Sequence, residues 1–201
     1  NVLTTVAELN EGSINSIIDS VGGPFIFFIS LVGLVMAVSK SEEAKRFDLF
    51  YIIGAAVFYA SYFVAKNLGL SISPSGLLVW VMLPILVKMV ISLYKKDYSY
   101  DFGLSLLLAL WVISTIYASI KGIRFTILLA PAFSVAFGVA LGKSYSYLLK
   151  LLTKEFKIQK FVGSSILILL LLLLYINPIK GAISAAGSDI PIVNDAWYNA
   201  L

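Results

Sequence analysis

Cysteine and histidine are both absent from the 201 residues of this chain. Without cysteine, the sequence offers neither a disulfide framework nor a thiolate metal site. Without histidine, it lacks the commonest general base and metal ligand of proteins. Any chemistry carried by this chain must therefore use carboxylates, hydroxyl groups, Arg and Lys.

Charged residues are also scarce. They make up 13% of the chain, whereas a soluble domain carries about a quarter. Hydrophobic residues make up 60%, and the mean hydropathy is +0.95. The net charge of +4 is not gathered around aromatic residues on one face, so we expect no nucleic-acid partner. We interpret the basic residues as parts of loops that face anionic membrane lipids.

The apolar residues fall into six blocks. A helix needs about 20 residues to cross about 30 Å of hydrocarbon. Blocks of roughly that length lie at 22–39, 49–66, 76–94, 104–120, 122–142 and 161–177. We therefore predict an all-α fold, a polytopic transmembrane helix bundle of about six spans.

The chain is expected to have three parts: an external loop segment at 1–21, the helix bundle at 22–177, and an external linker with the start of a soluble C-terminal domain at 178–201. The Gly/Ala/Ser-rich stretch 181–188 indicates an extended linker, and Asn194 is a candidate helix N-cap. Asn1 is not an initiator Met and Leu201 falls within this last predicted helix, so we expect a fragment of a longer protein.

Basic residues are distributed unequally between the two sides of the predicted bundle. The connections 40–48, 95–103 and 143–160 hold ten, namely Lys40, Lys45, Arg46, Lys95, Lys96, Lys143, Lys150, Lys154, Lys157 and Lys160. The opposite side holds four, namely Lys66, Lys121, Arg124 and Lys180. The positive-inside rule makes the richer side cytoplasmic. We therefore predict a multi-pass protein of the cell membrane with both chain ends external.

Three further local features are predicted within the spans and their connections. Lys88 lies within the third span, four residues after Pro84, and its ammonium is expected to snorkel toward Lys95. The segment 143–160 interleaves Lys with Leu and Tyr at helical spacing, which predicts an amphipathic helix on the inner membrane surface. Pro131 is expected to kink the fifth span.

Two oppositely charged residues are predicted to share the external side. Glu8 lies in the N-terminal segment, and Arg124 follows the short external turn near Lys121-Gly122. On charge and position alone, an Arg at a helix end usually snorkels to lipid phosphates, and a Glu in a loop is usually only solvated. The sequences around the two residues are more informative.

Three local sequences resemble motifs of the catalytic subunit of asparagine-linked oligosaccharyltransferases. Thr5-Val6-Ala7-Glu8 resembles the Thr-Ile-x-Glu motif late in the fifth external loop of that family. Gly122-Ile123-Arg124-Phe125, followed by Pro131, resembles the Arg-Phe…Pro stretch at the outer start of a later span. Residues 191–201, with Asp195 and Trp197, resemble the entry into the family's soluble domain. Their order favours an internal fragment that runs from the end of the fifth external loop through the last transmembrane helices.

The resemblance implies transfer of a polyprenyl (dolichol-type) phosphate-linked oligosaccharide to the Asn of an Asn-x-Ser/Thr acceptor polypeptide at the outer face. It makes Glu8 the catalytic residue, close to the acceptor amide, and Arg124 the residue that binds the lipid-linked phosphate. Thr5 would orient the loop. The resemblance also implies a divalent metal, Mn²⁺ or Mg²⁺, with Glu8 as a candidate ligand and the other ligands outside this chain.

The sequence also departs from the family. The acidic metal-ligand motifs and the motif that reads the acceptor Ser/Thr are absent, so this chain alone is expected to be inactive. No Arg or Lys lies between Glu8 and Gly22, where bacterial members that require an acidic residue before the acceptor site carry an Arg. This favours an archaeal or eukaryotic-like acceptor rule, with the archaeal type preferred.

Two other functions are compatible with the sequence. A transporter or flippase segment would need a polar route at the middle of the membrane, and Lys88 is the main candidate for one. A membrane scaffold would need only solvated polar ends. Binding of a polyprenyl-phosphate sugar that depends on Arg124 would distinguish the transferase from the transporter and from the scaffold.

Overall fold

A computed structural model describes residues 12–38, 46–69, 73–94 and 102–188 of the chain. It confirms the all-α prediction, because every regular element in these ranges is a helix. The helices are α1 (Ile14–Ser20), α2 (Pro24–Val38), α3 (Arg46–Asn67), α4 (Pro74–Tyr94), α5 (Phe102–Lys121), a 3-10 helix (Ile123–Leu128), α6 (Leu129–Lys154) and α7 (Lys160–Ser188). The chain divides into two compact units, 1–147 and 148–201.

Four helices in the described ranges are long and apolar enough to cross a membrane: α3, α4, α5 and the 3-10 helix continued by α6. The α1–α2 pair, bent by 82°, makes a fifth if the two helices form one broken span. The sixth predicted span falls in α7, which contributes an apolar helix at Lys160–Leu173 among the described residues. This is roughly the number of spans expected from the sequence.

Local sequence explains where several helices begin. Pro24 and Pro74 occupy the first positions of α2 and α4, where the missing N–H of proline costs no helical hydrogen bond. The hydroxyl of Ser13 accepts from the Ser16 N–H at 3.1 Å, and the hydroxyl of Ser73 accepts from the Gly76 N–H at 3.1 Å. Both serines therefore cap a free N–H group of the helix that follows.

The helices of the first unit alternate in direction, as contacts at two opposite ends show. At one end, the Gly12 N–H donates to the Ile120 carbonyl at 3.2 Å, and Lys66 Nζ donates to Asn15 Oδ1 at 2.8 Å. We call this the outer end, because the sequence predicts that it is external. It contains α1, the last turns of α3 and α5, and the 3-10 helix.

The opposite end of the first unit is held by polar groups at the carboxyl end of α2. Lys143 Nζ donates to the Met36 carbonyl at 2.6 Å, and Ser105 Oγ donates to the Ala37 carbonyl at 2.7 Å. These side chains satisfy carbonyls that have no partner within their own helix. Lys143 of α6 and the 3-10 turn that bears Arg124 therefore lie at opposite ends of the unit.

Helix α2 packs closely against α6. A Cβ added at Gly33 would lie 2.1 Å from the Ala136 carbonyl oxygen and 3.0 Å from the Ala140 Cβ. Nearer the start of both helices, Phe27 and Phe133 stack with ring centroids 5.3 Å apart. Small residues allow two helix backbones to approach in this way, which is a common basis of helix association in membranes.

Helices α3 and α4 are joined by a series of polar contacts. The Tyr59 hydroxyl donates to the Val81 carbonyl at 3.0 Å, and the Tyr51 hydroxyl donates to the Pro84 carbonyl at 2.5 Å. Further along, the Lys88 ammonium forms a buried ion pair with Asp48. The prediction that Lys88 snorkels toward Lys95 is wrong, because a carboxylate from the first turn of α3 neutralises its charge inside the protein.

The kink predicted at Pro131 stays a prediction, but the proline lies close to a change of helix type. It is the third residue of α6, which begins at Leu129 after the 3-10 helix. In the first turn of a helix the missing N–H of proline removes no intrahelical hydrogen bond. The change of helix type therefore falls before the proline.

The second unit differs from two expectations. Helix α6 continues to Lys154, so 143–160 is not a separate surface helix, and a turn with a positive φ of 52° at Lys157 separates α6 from α7. Helix α7 then continues to Ser188, through the stretch predicted to be an extended linker. That stretch contains three alanines, the residue with the highest helix propensity, and they outweigh its two glycines.

Candidate functional site at the outer end

The turn that carries Arg124 connects α5 to α6 at the outer end. Helix α5 ends at Lys121, Gly122 is extended, and the 3-10 helix begins at Ile123. The Gly122 N–H donates to the Ala118 carbonyl at 3.0 Å, and the Phe125 N–H donates to the Gly122 carbonyl at 3.0 Å. The sequence prediction of a very short turn near Lys121-Gly122 is therefore correct.

Arg124 is exposed on this turn. Its guanidinium carbon lies 4.9 Å from the centroid of the Phe125 ring. The 3-10 helix buries none of its own residues, so its side chains lie on the surface of the bundle. Stacking on an aromatic ring uses the flat face of a guanidinium and leaves its N–H donors at the edge. Arg124 therefore presents a fixed positive charge and a fork of donors, which is suited to binding phosphate.

Gly12 brings the N-terminal part of the described chain to the same place. It is buried, and its N–H donates to the Ile120 carbonyl, four residues before Arg124. A Cβ at this position would lie 2.2 Å from the Ser119 carbonyl oxygen, closer than side chains and carbonyls approach in proteins. Only glycine fits between the incoming chain and the end of α5.

Helix α1 lies across the outer end and holds this segment. Ile17 and Ile18 are buried, with 0% and 2% of their surfaces exposed, and α1 packs against α5 and the 3-10 helix. Asn15 accepts a hydrogen bond from Lys66 at the end of α3. The α1 segment is thus attached to two different helices of the bundle.

Of the predicted site residues, Arg124 lies in the described ranges at the outer end. Glu8 and Thr5 lie outside the described residues, as does the stretch 191–201 with Asp195 and Trp197. Sequence reasoning missed Gly12 and Asn15. The pair Gly12-Ser13, a glycine followed by a helix cap, was the signal that the chain changes direction here.

A metal centre requires several ligands in one place. Within 12–38, 46–69, 73–94 and 102–188, no group of three or more acidic residues is suitably arranged to hold a metal ion. The predicted Mn²⁺ or Mg²⁺ site used Glu8, which lies outside these ranges, and ligands outside this chain, so the metal site stays a prediction.

The fold defines a multi-pass membrane protein built from antiparallel apolar helices, with a basic turn and a docked N-terminal segment at one end. The whole chain is similar to the dolichyl-phosphooligosaccharide-protein glycotransferase of Methanococcus voltae, with 25% identity over an alignment of 223 positions. The alignment covers 24% of that protein, so the chain spans about a quarter of its length. This similarity confirms the resemblance to oligosaccharyltransferases found in the sequence. No protein-family model matches the chain, and no solved structure matches it.

Proposed function

We propose that this chain is the part of a membrane oligosaccharyltransferase that presents an acid and a guanidinium to the reacting groups. The donor is a polyprenyl phosphate-linked oligosaccharide and the acceptor is a polypeptide with an Asn-x-Ser/Thr site. The main support is the similarity of the whole chain to a glycotransferase named for a dolichyl-phosphate donor. The cell membrane is the proposed location, with the reacting side external.

In the proposed reaction, a bond forms between the side-chain nitrogen of the acceptor Asn and the anomeric carbon of the donor. The bond from that carbon to the phosphate oxygen breaks, and its electron pair leaves with the lipid phosphate. One amide proton is released. An amide nitrogen is a poor nucleophile because its lone pair is delocalised, so a carboxylate that accepts hydrogen bonds from the amide assists the attack.

Glu8 is the proposed acceptor of those hydrogen bonds and of the released proton. Arg124 is the proposed partner of the lipid phosphate, where negative charge increases as the bond breaks. A guanidinium binds phosphate oxygens through two parallel N–H groups, and it remains charged at any physiological pH.

Contact between Gly12 and Ile120 is the observation that supports a shared site for the two residues. Glu8 precedes Gly12 by four residues, and Arg124 follows Ile120 by four. Four residues of extended chain reach about 14 Å at most. This length of chain is compatible with the proposed shared site at the outer end.

The test is glycan transfer by the complete protein with Arg124→Ala or Glu8→Gln. The assay uses a lipid-linked oligosaccharide and an Asn-x-Ser/Thr peptide. We expect each variant to lose about 100-fold or more in kcat/KM, since removal of one group that stabilises transition-state charge has effects of that order. The thermal unfolding temperature of Arg124→Ala should be unchanged, because Arg124 is exposed.

Two further variants serve as controls. Arg124→Lys keeps the charge but loses the planar fork, and should retain part of the activity. Lys121→Gln removes a neighbouring positive charge from the same turn, and should reduce transfer by no more than a few-fold. Normal transfer by both Glu8→Gln and Arg124→Ala would remove the assignment.

A further inference from the structure

We infer that Gly12 and Asn15 are positioning residues of this reaction: they fix the point at which the chain that leads from Glu8 joins the bundle, beside the turn that carries Arg124. The inference rests on the proposed function, because it concerns the placement of the proposed catalytic acid. Neither residue is proposed to touch a substrate.

The first attachment is at the backbone of Gly12. Its N–H donates to Ile120 at 3.2 Å, and its Cα faces the Ser119 carbonyl so closely that a Cβ would come within 2.2 Å of the oxygen. Ser119 is completely buried, and its hydroxyl donates to the Thr115 carbonyl at 2.7 Å. Because Ser119 is completely buried, its carbonyl can move aside for a side chain only by disturbing the atoms packed around it.

The second attachment is at the side chain of Asn15. Its oxygen accepts from Lys66 Nζ at 2.8 Å, which links the first turn of α1 to the last turn of α3. Ile17 and Ile18, buried immediately afterwards, fix the rotation of α1. The two attachments are three residues apart and lead to different helices, so together they fix the start of the described chain at the outer end.

A methyl group at Gly12 would lie 2.2 Å from the Ser119 carbonyl oxygen, so Gly12 and the end of α5 would have to separate by roughly 1 Å. Displacements of that size in a reacting group reduce turnover by as much as about 100-fold, even when the substrate still binds. The expected effect is therefore on kcat and not on the affinity for the lipid-linked donor.

The experiment compares Gly12→Ala with Gly138→Ala in the complete protein. Gly138 has no atoms within 4 Å of an added Cβ, so its variant controls for the glycine-to-alanine change itself. We expect Gly12→Ala to lower kcat by about 10-fold or more, with the donor KM within about two-fold of the unsubstituted protein. Gly138→Ala should leave both unchanged.

Non-additivity distinguishes positioning from general damage. If Gly12 acts through Glu8, then Gly12→Ala should cost much less in a Glu8→Asp background, where the acid is already displaced, than in the unsubstituted protein. Equal losses in the two backgrounds would overturn the inference, as would a kcat equal to that of Gly138→Ala.

Asn15 supplies a second test if Gly12→Ala does not fold. Asn15→Ala removes the acceptor for Lys66 and should lower kcat several-fold, whereas Asn15→Asp keeps an acceptor and should restore it. Activity of Asn15→Ala equal to that of Asn15→Asp contradicts the inference. Full activity of Glu8→Gln would instead contradict the proposed function, so the two failures can be told apart.

Discussion

Single residues determine how closely the helices of this protein approach one another. Gly33 faces the backbone of α6, and Gly12 faces the end of α5, each at a distance that excludes a methyl group. Other glycines, such as Gly54 and Gly138, have open space around them. The structural role of a glycine in this bundle therefore depends on how closely a neighbouring helix approaches it.

Gly33→Ala is expected to destabilise the protein. The new Cβ would lie 2.1 Å from the Ala136 carbonyl oxygen, which belongs to a backbone and cannot rotate away. Overpacking of this kind costs about 1–3 kcal/mol. The measurement is the free energy of unfolding in detergent micelles, with Gly138→Ala as the control. A Gly33→Ala protein as stable as that control would show that α2 and α6 are not packed as described.

None of these glycine roles was apparent from the sequence. The spans are apolar on nearly every face, so their hydrophobic pattern does not distinguish the side that contacts protein from the side that contacts lipid. Gly33 lies among Val32, Leu34 and Val35. This local sequence does not indicate that Gly33 contacts Ala136, which lies about one hundred residues later.

At the scale of whole helices, the α3–α4 pair is the part of the bundle with the most specific interactions. Asp48, Tyr51 and Tyr59 of α3 contact Lys88, Pro84 and Val81 of α4 in antiparallel order. Trp80 packs among the rings of Phe58, Tyr59 and Tyr62 near the other end of this series. Sliding one helix along the other by a turn would break all of these contacts at once.

Replacing Asp48 or Lys88 alone should therefore destabilise the protein more than replacing both residues of the ion pair together. Asp48→Asn or Lys88→Met alone leaves one charge buried without its partner, at a cost of about 3 kcal/mol in unfolding free energy. The double variant Asp48→Leu with Lys88→Met removes both charges and should lie within about 1 kcal/mol of the unsubstituted protein. Unfolding in detergent micelles measures all three variants. Equal destabilisation by the double variant and by Lys88→Met would contradict a pairwise interaction.

Sequence patterns predicted the positions of the helices along the chain better than they predicted the contacts between helices. The block 76–94 became α4 at Pro74–Tyr94, and 104–120 became α5 at Phe102–Lys121, because apolar length is a local property. The ion pair was not apparent from the sequence, because Asp48 ends the predicted connection 40–48 and is forty residues from Lys88. The extended linker was wrong because glycine and serine suggested a loop, whereas the alanines beside them support a helix.

The candidate site, like the bundle, was predictable in its local features but not in its long-range contacts. The turn at Lys121-Gly122 and the position of Arg124 followed from apolar block lengths and from a motif, and the structure agrees with both. The docking of Gly12 against Ser119 and Ile120 did not follow from either. Contacts between residues more than one hundred positions apart depend on how the helices assemble, and a single sequence gives no direct sign of them.

At the scale of the whole molecule, the direction of the bundle across the membrane decides which reaction it can support. From Ile123 to Ser146 the chain is continuously helical, and a helix of that length rises about 35 Å. This exceeds the roughly 30 Å of hydrocarbon in a bilayer. Ile123 and Ser146, both exposed, must therefore lie on opposite sides if α6 crosses the membrane.

Cysteine labelling in intact cells tests the direction, because the chain contains no natural cysteine. Ile123→Cys should react with a membrane-impermeant thiol reagent added outside, since the four basic residues of its side are outnumbered by ten on the other. Ser146→Cys should react only after the membrane is permeabilised, and the unsubstituted protein supplies the background. The reverse pattern would put Arg124 in the cytoplasm, where it could not bind a donor presented at the outer face. Labelling of both from outside would mean that α6 does not cross the membrane, and the two ends of the bundle would then have to be reassigned.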